Sequence, residues 1–129
     1  MTTVIEGLLA CDDVEPVTVD SFDRYLDADW RGLTALFFTG DVAKRPESAD
    51  VAVVLRELLK QYKGVLRVGV VDRKSEPRLI RQAHAVMLPS LSFFAGRAHL
   101  ETIPKIQDWA VYAQKLPELM ARAGHRTAA

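Results

Sequence analysis

The chain holds one cysteine, Cys11, so neither an internal disulfide nor a CxxC redox pair can form within it. A reactive thiol needs a nearby cation or helix start to lower its pKa. The neighbours Asp12 and Asp13 act in the opposite sense, and Cys11 reads as an incidental thiol and a poor nucleophile. An excess of either charge is also missing: 17 basic and 17 acidic residues cancel, so no global basic field advertises nucleic acid. No apolar run approaches the roughly 18 residues that suggest a membrane span. The stretch Met1–Ala10 has neither a basic n-region nor a long apolar h-region, so no secretion signal is expected and cytoplasm is the expected location. His84, His99 and His125 show no ligand spacing, and with one remote cysteine no metal site is expected. Neither a Ser/His/Asp relay, nor a phosphate-cradling glycine loop, nor a catalytic carboxylate pair is recognisable. The expectation is a protein without catalytic residues and without a cofactor.

What is present is an ordinary globular composition, 49% apolar and 26% charged over 129 residues, enough for one domain with its own core. The most informative stretch is Leu88-Pro89-Ser90-Leu91-Ser92-Phe93-Phe94-Ala95-Gly96. An apolar run bounded by Pro and Gly reads as a buried strand, and Pro is tolerated at a strand's first residue. Pro89 thus marks a strand mouth whose missing N–H leaves room for something else. Leu33–Thr39 and Val65–Val71 are two more apolar runs, of the kind buried on both faces of a sheet. Val17-Thr18-Val19 is a short strand candidate, preceded by a short helix and a loop into Pro16.

Helices fill the intervals. Asp20-Ser21 offers an N-cap to Phe22, Tyr25 and Leu26, which share one face. Val51, Leu55, Leu58, Leu59 and Tyr62 form an amphipathic stripe closed by Gly64. Glu76–Ala85 reads as a helix with Pro77 in its first turn. Gly96-Arg97 turns the Pro89 strand into a hairpin with His99–Ile103. A last stripe runs Trp109, Tyr112, Ala113, Leu116, Met120 and Ala123, with Pro117 expected to kink or split it at a cost of about 3 kcal/mol. The predicted order is β-α-β-α-β-α-β-β-α: an α/β domain over 1–129 with a central mixed sheet flanked by helices on both faces. Residues 1–16 read as an N-terminal extension and 124–129 as a frayed tail.

This order, with Pro heading the fourth strand, resembles the thioredoxin fold. In that family the proline is cis and faces the loop that carries CxxC. Here that loop reads Phe38-Thr39-Gly40-Asp41-Val42-Ala43-Lys44-Arg45-Pro46 and has no cysteine. Disulfide exchange needs an attacking thiolate and a resolving partner, so the redox reading fails there. A narrower resemblance rests on Leu36–Asp41, on Pro46–Leu58 with its run Asp50-Val51-Ala52-Val53-Val54-Leu55, on Leu88-Pro89-Ser90-Leu91 and on Ile106-Gln107-Asp108-Trp109. Over residues 17–115 these are similar to the HyaE/HupG/HoxO family. That resemblance implies a non-redox chaperone in maturation of membrane-bound nickel–iron hydrogenase, escorting the small-subunit precursor through its twin-arginine signal peptide. A second hydrogenase accessory protein is a further partner it suggests; nucleic acid and membrane insertion are not expected.

Charge is unevenly spread although it sums to zero. Residues 1–29 hold eight acids against the single base Arg24, and residues 44–81 hold ten bases against five acids. A twin-arginine segment would seek carboxylates, which pair bidentately with guanidinium. The acidic N-terminal third could supply them, as could Asp41, Glu47 and Asp50 beside the loop; each taken singly also reads as a solvated surface charge, and Asp50 as an acid at a helix start with Ser48 as its N-cap. The backbone of Leu88 at the Pro89 mouth is the expected edge for strand addition by an extended peptide. Asp108 lies in the late motif, and Trp109 reads as a packing anchor or a partner surface. Phe37, Phe38, Phe93 and Phe94 read as core. The partner-binding candidates are Asp41, Glu47, Asp50, Leu88, Pro89, Asp108 and Trp109. Two other readings are a general thioredoxin-like interaction module with another partner, and a redox protein acting through Cys11 alone.

Overall fold

A computed structural model describes residues 3–128, with side chains over 4–124. The elements are α1 (Thr3–Leu9), β1 (Val14–Val17), α2 (Phe22–Asp27), β2 (Leu33–Phe38), α3 (Glu47–Gln61), β3 (Leu66–Val71), α4 (Glu76–Leu79), β4 (Ser90–Ala95), β5 (Ala98–Pro104) and α5 (Trp109–Ala128). The strands form one five-stranded sheet in the order β1-β3-β2-β4-β5. β1 and β2 run parallel to β3, while β4 is antiparallel to both β2 and β5. This is the mixed sheet of a thioredoxin-like α/β fold.

The three apolar runs become central strands because each face of the sheet has a helical layer to meet. Leu33, Ala35 and Phe37 of β2, Leu66, Val68 and Val70 of β3 and Leu91 and Phe93 of β4 pack with α1, α3 and α5. The alternate residues Leu36, Phe38, Val71 and Phe94 pack with α2 and the α4 region. Period-two alternation thus serves two cores at once. Gly69 allows the closest approach within the second core, since a Cβ there would lie 2.7 Å from Val17 and 2.9 Å from Tyr25.

Several boundaries differ from the sequence expectation. The first strand is Val14–Val17 and not Val17–Val19, and Pro16 lies inside it, opposite Val70. β1 pairs only with β3, and an edge strand tolerates a residue without N–H. Thr18 and Val19 turn away instead: their N–H groups donate to Ser21 Oγ and Ser75 Oγ, each at 2.9 Å. Ser21 is the α2 N-cap by position, but its hydroxyl is spent on this turn and makes no cap bond. Ser48 is likewise no N-cap: Pro46 holds that position in α3, and Ser48 is fully buried inside the helix.

The helix expected over 76–85 is a single turn. Past Leu79 the chain continues in turns, and His84 takes the left-handed conformation (φ 60°), which ends any helix. The Ala83 carbonyl accepts the Ser92 hydroxyl of β4, which ties this segment to the sheet. Pro117 does not end α5, which runs without a break over 20 residues. The carbonyl deprived of its partner belongs to Ala113; Ala113 and Pro117 are both exposed, so water can meet it, while Leu116 and Leu119 anchor the helix at 0% exposure. Ala113 is therefore not part of the buried stripe. Among the described residues no helix is long and apolar enough to cross a membrane.

Candidate functional site

The C-terminal ends of the parallel strands β2 and β3 meet the start of antiparallel β4 at the Pro89 mouth, the kind of crevice where open α/β sheets place their ligands. The Leu88–Pro89 bond is cis. Gly40, Asp41, Lys44, Arg45, Arg73, Glu76 and Leu88 line a cavity of about 410 Å³ there.

Local sequence explains how the lining is held. Gly40 stands at φ 68°, and a Cβ on it would lie 2.7 Å from Arg45 Cδ, so glycine is required for the turn to fold over that side chain. The Asp41 carbonyl accepts the N–H of Lys44 and of Arg45, at 2.9 and 2.8 Å, and Asp41 Oδ1 accepts the Ala43 N–H at 3.1 Å. Ser48 Oγ donates to the Thr39 carbonyl at 2.5 Å and fastens α3 to the loop. On the other wall, Pro89 O accepts the Lys105 N–H at 2.6 Å.

Two charged groups dominate. Glu76 is only 3% exposed; Oε2 accepts the Gly40 N–H at 3.0 Å and Oε1 lies 3.3 Å from Arg73 Nε. Burial pushes its carboxyl above the usual range, opposed by the Gly40 N–H and by Arg73. Arg45 is half-buried, and its Nη1 donates to the Leu88 carbonyl at 3.2 Å. The backbone acceptor expected to receive a peptide is therefore already occupied by a side chain of the same loop. Val86 and Met87, just before Leu88, are 77% and 53% exposed and form an apolar lip.

The structure brings together only some of the predicted site residues. Asp41 and Leu88 line the cavity, Pro89 is buried at its edge, and Asp41 sits among the cations Lys44, Arg45 and Arg73. Glu47 and Asp50 lie in the first turn of α3, Asp50 exposed, and neither lines the cavity. Asp108 and Trp109 stand at the start of α5, where the Asp108 carbonyl accepts the Val111 N–H. Trp109 is 43% exposed, with its ring 6.5 Å from that of Tyr112. The sequence alone does not mark Glu76 or Arg73 as site residues, and it marks Ser48 only as an N-cap. The available signal was Glu76 itself, a lone acid at a helix start among Arg73, Lys74, Arg78 and Arg81.

The acidic N-terminal third is partly neutralised by the fold. Arg97, in the β4–β5 turn, reaches Asp23 and Asp27 of α2, each at 3.0 Å. Asp12 and Asp13 share a cavity with Arg56, Lys60 and Lys63. Cys11 lines that cavity too, its thiol donating to Gly7 O at 3.4 Å. Because β1 runs parallel to β3 and β2, the segment Cys11–Asp13 that leads directly into β1 lies at the far end of the sheet from the loop after β2. Cys11 is thus remote from the mouth. His84 and His99 stack with ring centroids 4.2 Å apart, and His99 Nε2 meets Thr102 Oγ1 at 2.8 Å. The side chain of His125 lies outside the described residues. Among the described residues no group of three His, Cys, Asp or Glu could hold a metal ion.

Sheet order, the cis proline facing a loop after β2 and the lack of a thiol in that loop define a thioredoxin-like domain without the redox pair. Comparison with known families narrows this. Residues 4–112 match the family described as hydrogenase-1 expression protein HyaE, and the chain belongs to that family. It is 37% identical over 117 residues to the hydrogenase expression/formation protein HupG of Bradyrhizobium diazoefficiens, covering 91% of this chain and 78% of that protein. HupG of Rhizobium leguminosarum is 44% identical over 81 residues, which cover 63% of this chain and little more than half (54%) of that relative. HoxO of Cupriavidus necator, named in the same way, is 33% identical over 120 residues, covering 92% and 73% of the two chains.

Proposed function

We propose that the chain acts without catalysis, as one thioredoxin-like domain over residues 1–129, in maturation of membrane-bound nickel–iron hydrogenase. In this reading it is a cytoplasmic chaperone that binds the small-subunit precursor through its twin-arginine signal peptide. Membership in a family whose relatives are named hydrogenase expression/formation proteins is the observation that carries it. The thiol-free loop supports a contact role over an exchange role.

Charge favours one surface for the arginines. The mouth sets Lys44, Arg45 and Arg73 against Asp41 and Glu76, an excess of cations that disfavours a guanidinium, whereas α2 presents exposed carboxylates at Asp23 and Asp27. Arg97 already takes both of them, so the spacing of these carboxylates suits a guanidinium. Calorimetric titration of the full chain with a twin-arginine signal peptide from a hydrogenase small subunit, beside its Lys-Lys version, tests the reading. Micromolar binding that weakens severalfold for Lys-Lys is expected, since an ammonium cannot pair bidentately. Failure of both peptides to bind overturns the signal-peptide part, and the folded small subunit or a second accessory protein becomes the partner to titrate.

A further inference from the structure

The mouth holds a charge imbalance that the rest of the fold does not resolve. Its two acids are already committed: Asp41 Oδ1 to the Ala43 N–H, and Glu76 to the Gly40 N–H and Arg73. Of its three cations Arg73 is paired with Glu76, and the other two meet no carboxylate among the described residues. Arg45 is half-buried, yet among the described residues its guanidinium meets only the neutral Leu88 carbonyl and no carboxylate. Lys44 is exposed and its ammonium has no partner among the described residues. An Arg withdrawn from water is ordinarily matched by an anion that accepts from its planar fork.

Apolar surface flanks this cationic centre on both sides. Val86 and Met87 form the exposed lip before Leu88. Beyond Arg73, which lines both spaces, a second cavity of about 220 Å³ is lined mainly by apolar residues, Ile5, Leu9, Val42 and Val70 among them, with Asp72 as its one acid. An extended segment laid across the mouth would meet cations at its centre and apolar surface to either side.

We infer that the Pro89 mouth is a docking site for an extended peptide segment bearing an acidic side chain among apolar or small ones, with Arg45 as the carboxylate receptor. Arg45 also acts as a gate. When its guanidinium turns to the peptide carboxylate, the Leu88 carbonyl is released to accept a peptide N–H, as strand addition requires. The sequence thereby selects for an acid at the position that opens the edge. This surface is separate from the α2 carboxylates and does not require the partner to be a hydrogenase precursor.

The test uses the full chain, labelled with ¹⁵N, and three pools of capped hexapeptides. All positions but the third are randomised over Ala, Val, Ser and Thr, and the third is fixed as Glu, Gln or Lys. The Glu pool should shift the amides of Gly40, Asp41 and Ser90 and bind about fivefold or more tightly than the Gln pool, with the Lys pool weakest. Arg45→Gln should erase the Glu preference, and Arg45→Glu should invert it toward Lys. The wild-type ratio needs no variant. Equal binding of the Glu and Gln pools, shifts that map away from the mouth, or no binding by any pool would each overturn the inference. The Lys-Lys comparison at the acidic face is read independently, so either result can fail alone.

Discussion

Before β4, Glu76 is withdrawn from water and fixed between a backbone N–H and Arg73; after it, Arg97 stands 52% exposed and spans Asp23 and Asp27, themselves 75% and 60% exposed. Both ends of the strand hold ion pairs of similar length, yet the medium around them differs. In high dielectric an exposed pair offers little stability and rearranges at small cost, whereas a buried carboxylate cannot lose its partners without a large penalty. Glu76 is thereby suited to hold the loop at Gly40 in a fixed geometry, and the acidic face to exchange one guanidinium for another.

The largest effect that sharpens this contrast lies beneath the acidic face. Arg67 of β3 is 8% exposed; Nε donates to Thr34 Oγ1 at 2.9 Å and Nη2 to the Tyr25 carbonyl at 2.7 Å, and the guanidinium covers the Tyr25 ring at 4.0 Å. Arg67→Ala leaves two acceptors without this donor and removes the stacked group, and should cost about 3 kcal/mol in urea unfolding. Arg67→Met, which keeps much of the volume and removes a buried cation, should lose only about half of that. An Arg67→Ala midpoint equal to wild type would show that this buried cation contributes nothing net.

Glu76 comes next. Glu76→Ala strands the Gly40 N–H and should cost about 2 kcal/mol, while Glu76→Gln, which keeps an acceptor oxygen, should cost less than about 1 kcal/mol at neutral pH. Acidity separates the two causes. The folded carboxyl is raised by burial from its ordinary 4.5, so the native state binds the proton more tightly than the unfolded chain. Its contribution to stability is present in full at low pH and is lost as pH rises from about 4.5 through the folded value. Wild type minus Glu76→Gln, compared across unfolding curves between these limits, should show that decline; a difference that grows with pH would mean that the hydrogen bonds outweigh burial.

How much of this was legible beforehand depended on the range of the cause. β2, β3 and β4 were readable because continuous apolar runs between Gly and Pro leave few alternatives. β1 starts three residues earlier than its β-branched run suggests, because Pro16 reads as a boundary and only the sheet order reveals an edge that tolerates it. α4 is shorter than the Glu76–Ala85 helix that the sequence suggests, because the Ser92 hydroxyl on the Ala83 carbonyl and the His84 conformation belong to tertiary structure. The burial of Glu76 hangs on Gly40, 36 residues away, and the pairing of Asp23 on Arg97, 74 residues away. Counting charges along the chain located an acidic third correctly but could not tell which of its carboxylates were already taken.

Arg97 provides the smallest structural effect and the most direct break of the comparison. Its guanidinium is exposed and its pairs are surface pairs, so Arg97→Ala should leave the unfolding midpoint essentially where it is. Binding should move the other way. With Arg97 present, an incoming arginine must displace it from Asp23 and Asp27; without it, both carboxylates are free, and affinity for a twin-arginine peptide should rise severalfold with a steeper salt dependence. Asp23→Asn combined with Asp27→Asn should remove both the gain and most of the binding. If Arg97→Ala leaves the affinity of a bound peptide unchanged, the arginines dock elsewhere, and the carboxylates Glu47 and Asp50 on α3 are the next to neutralise.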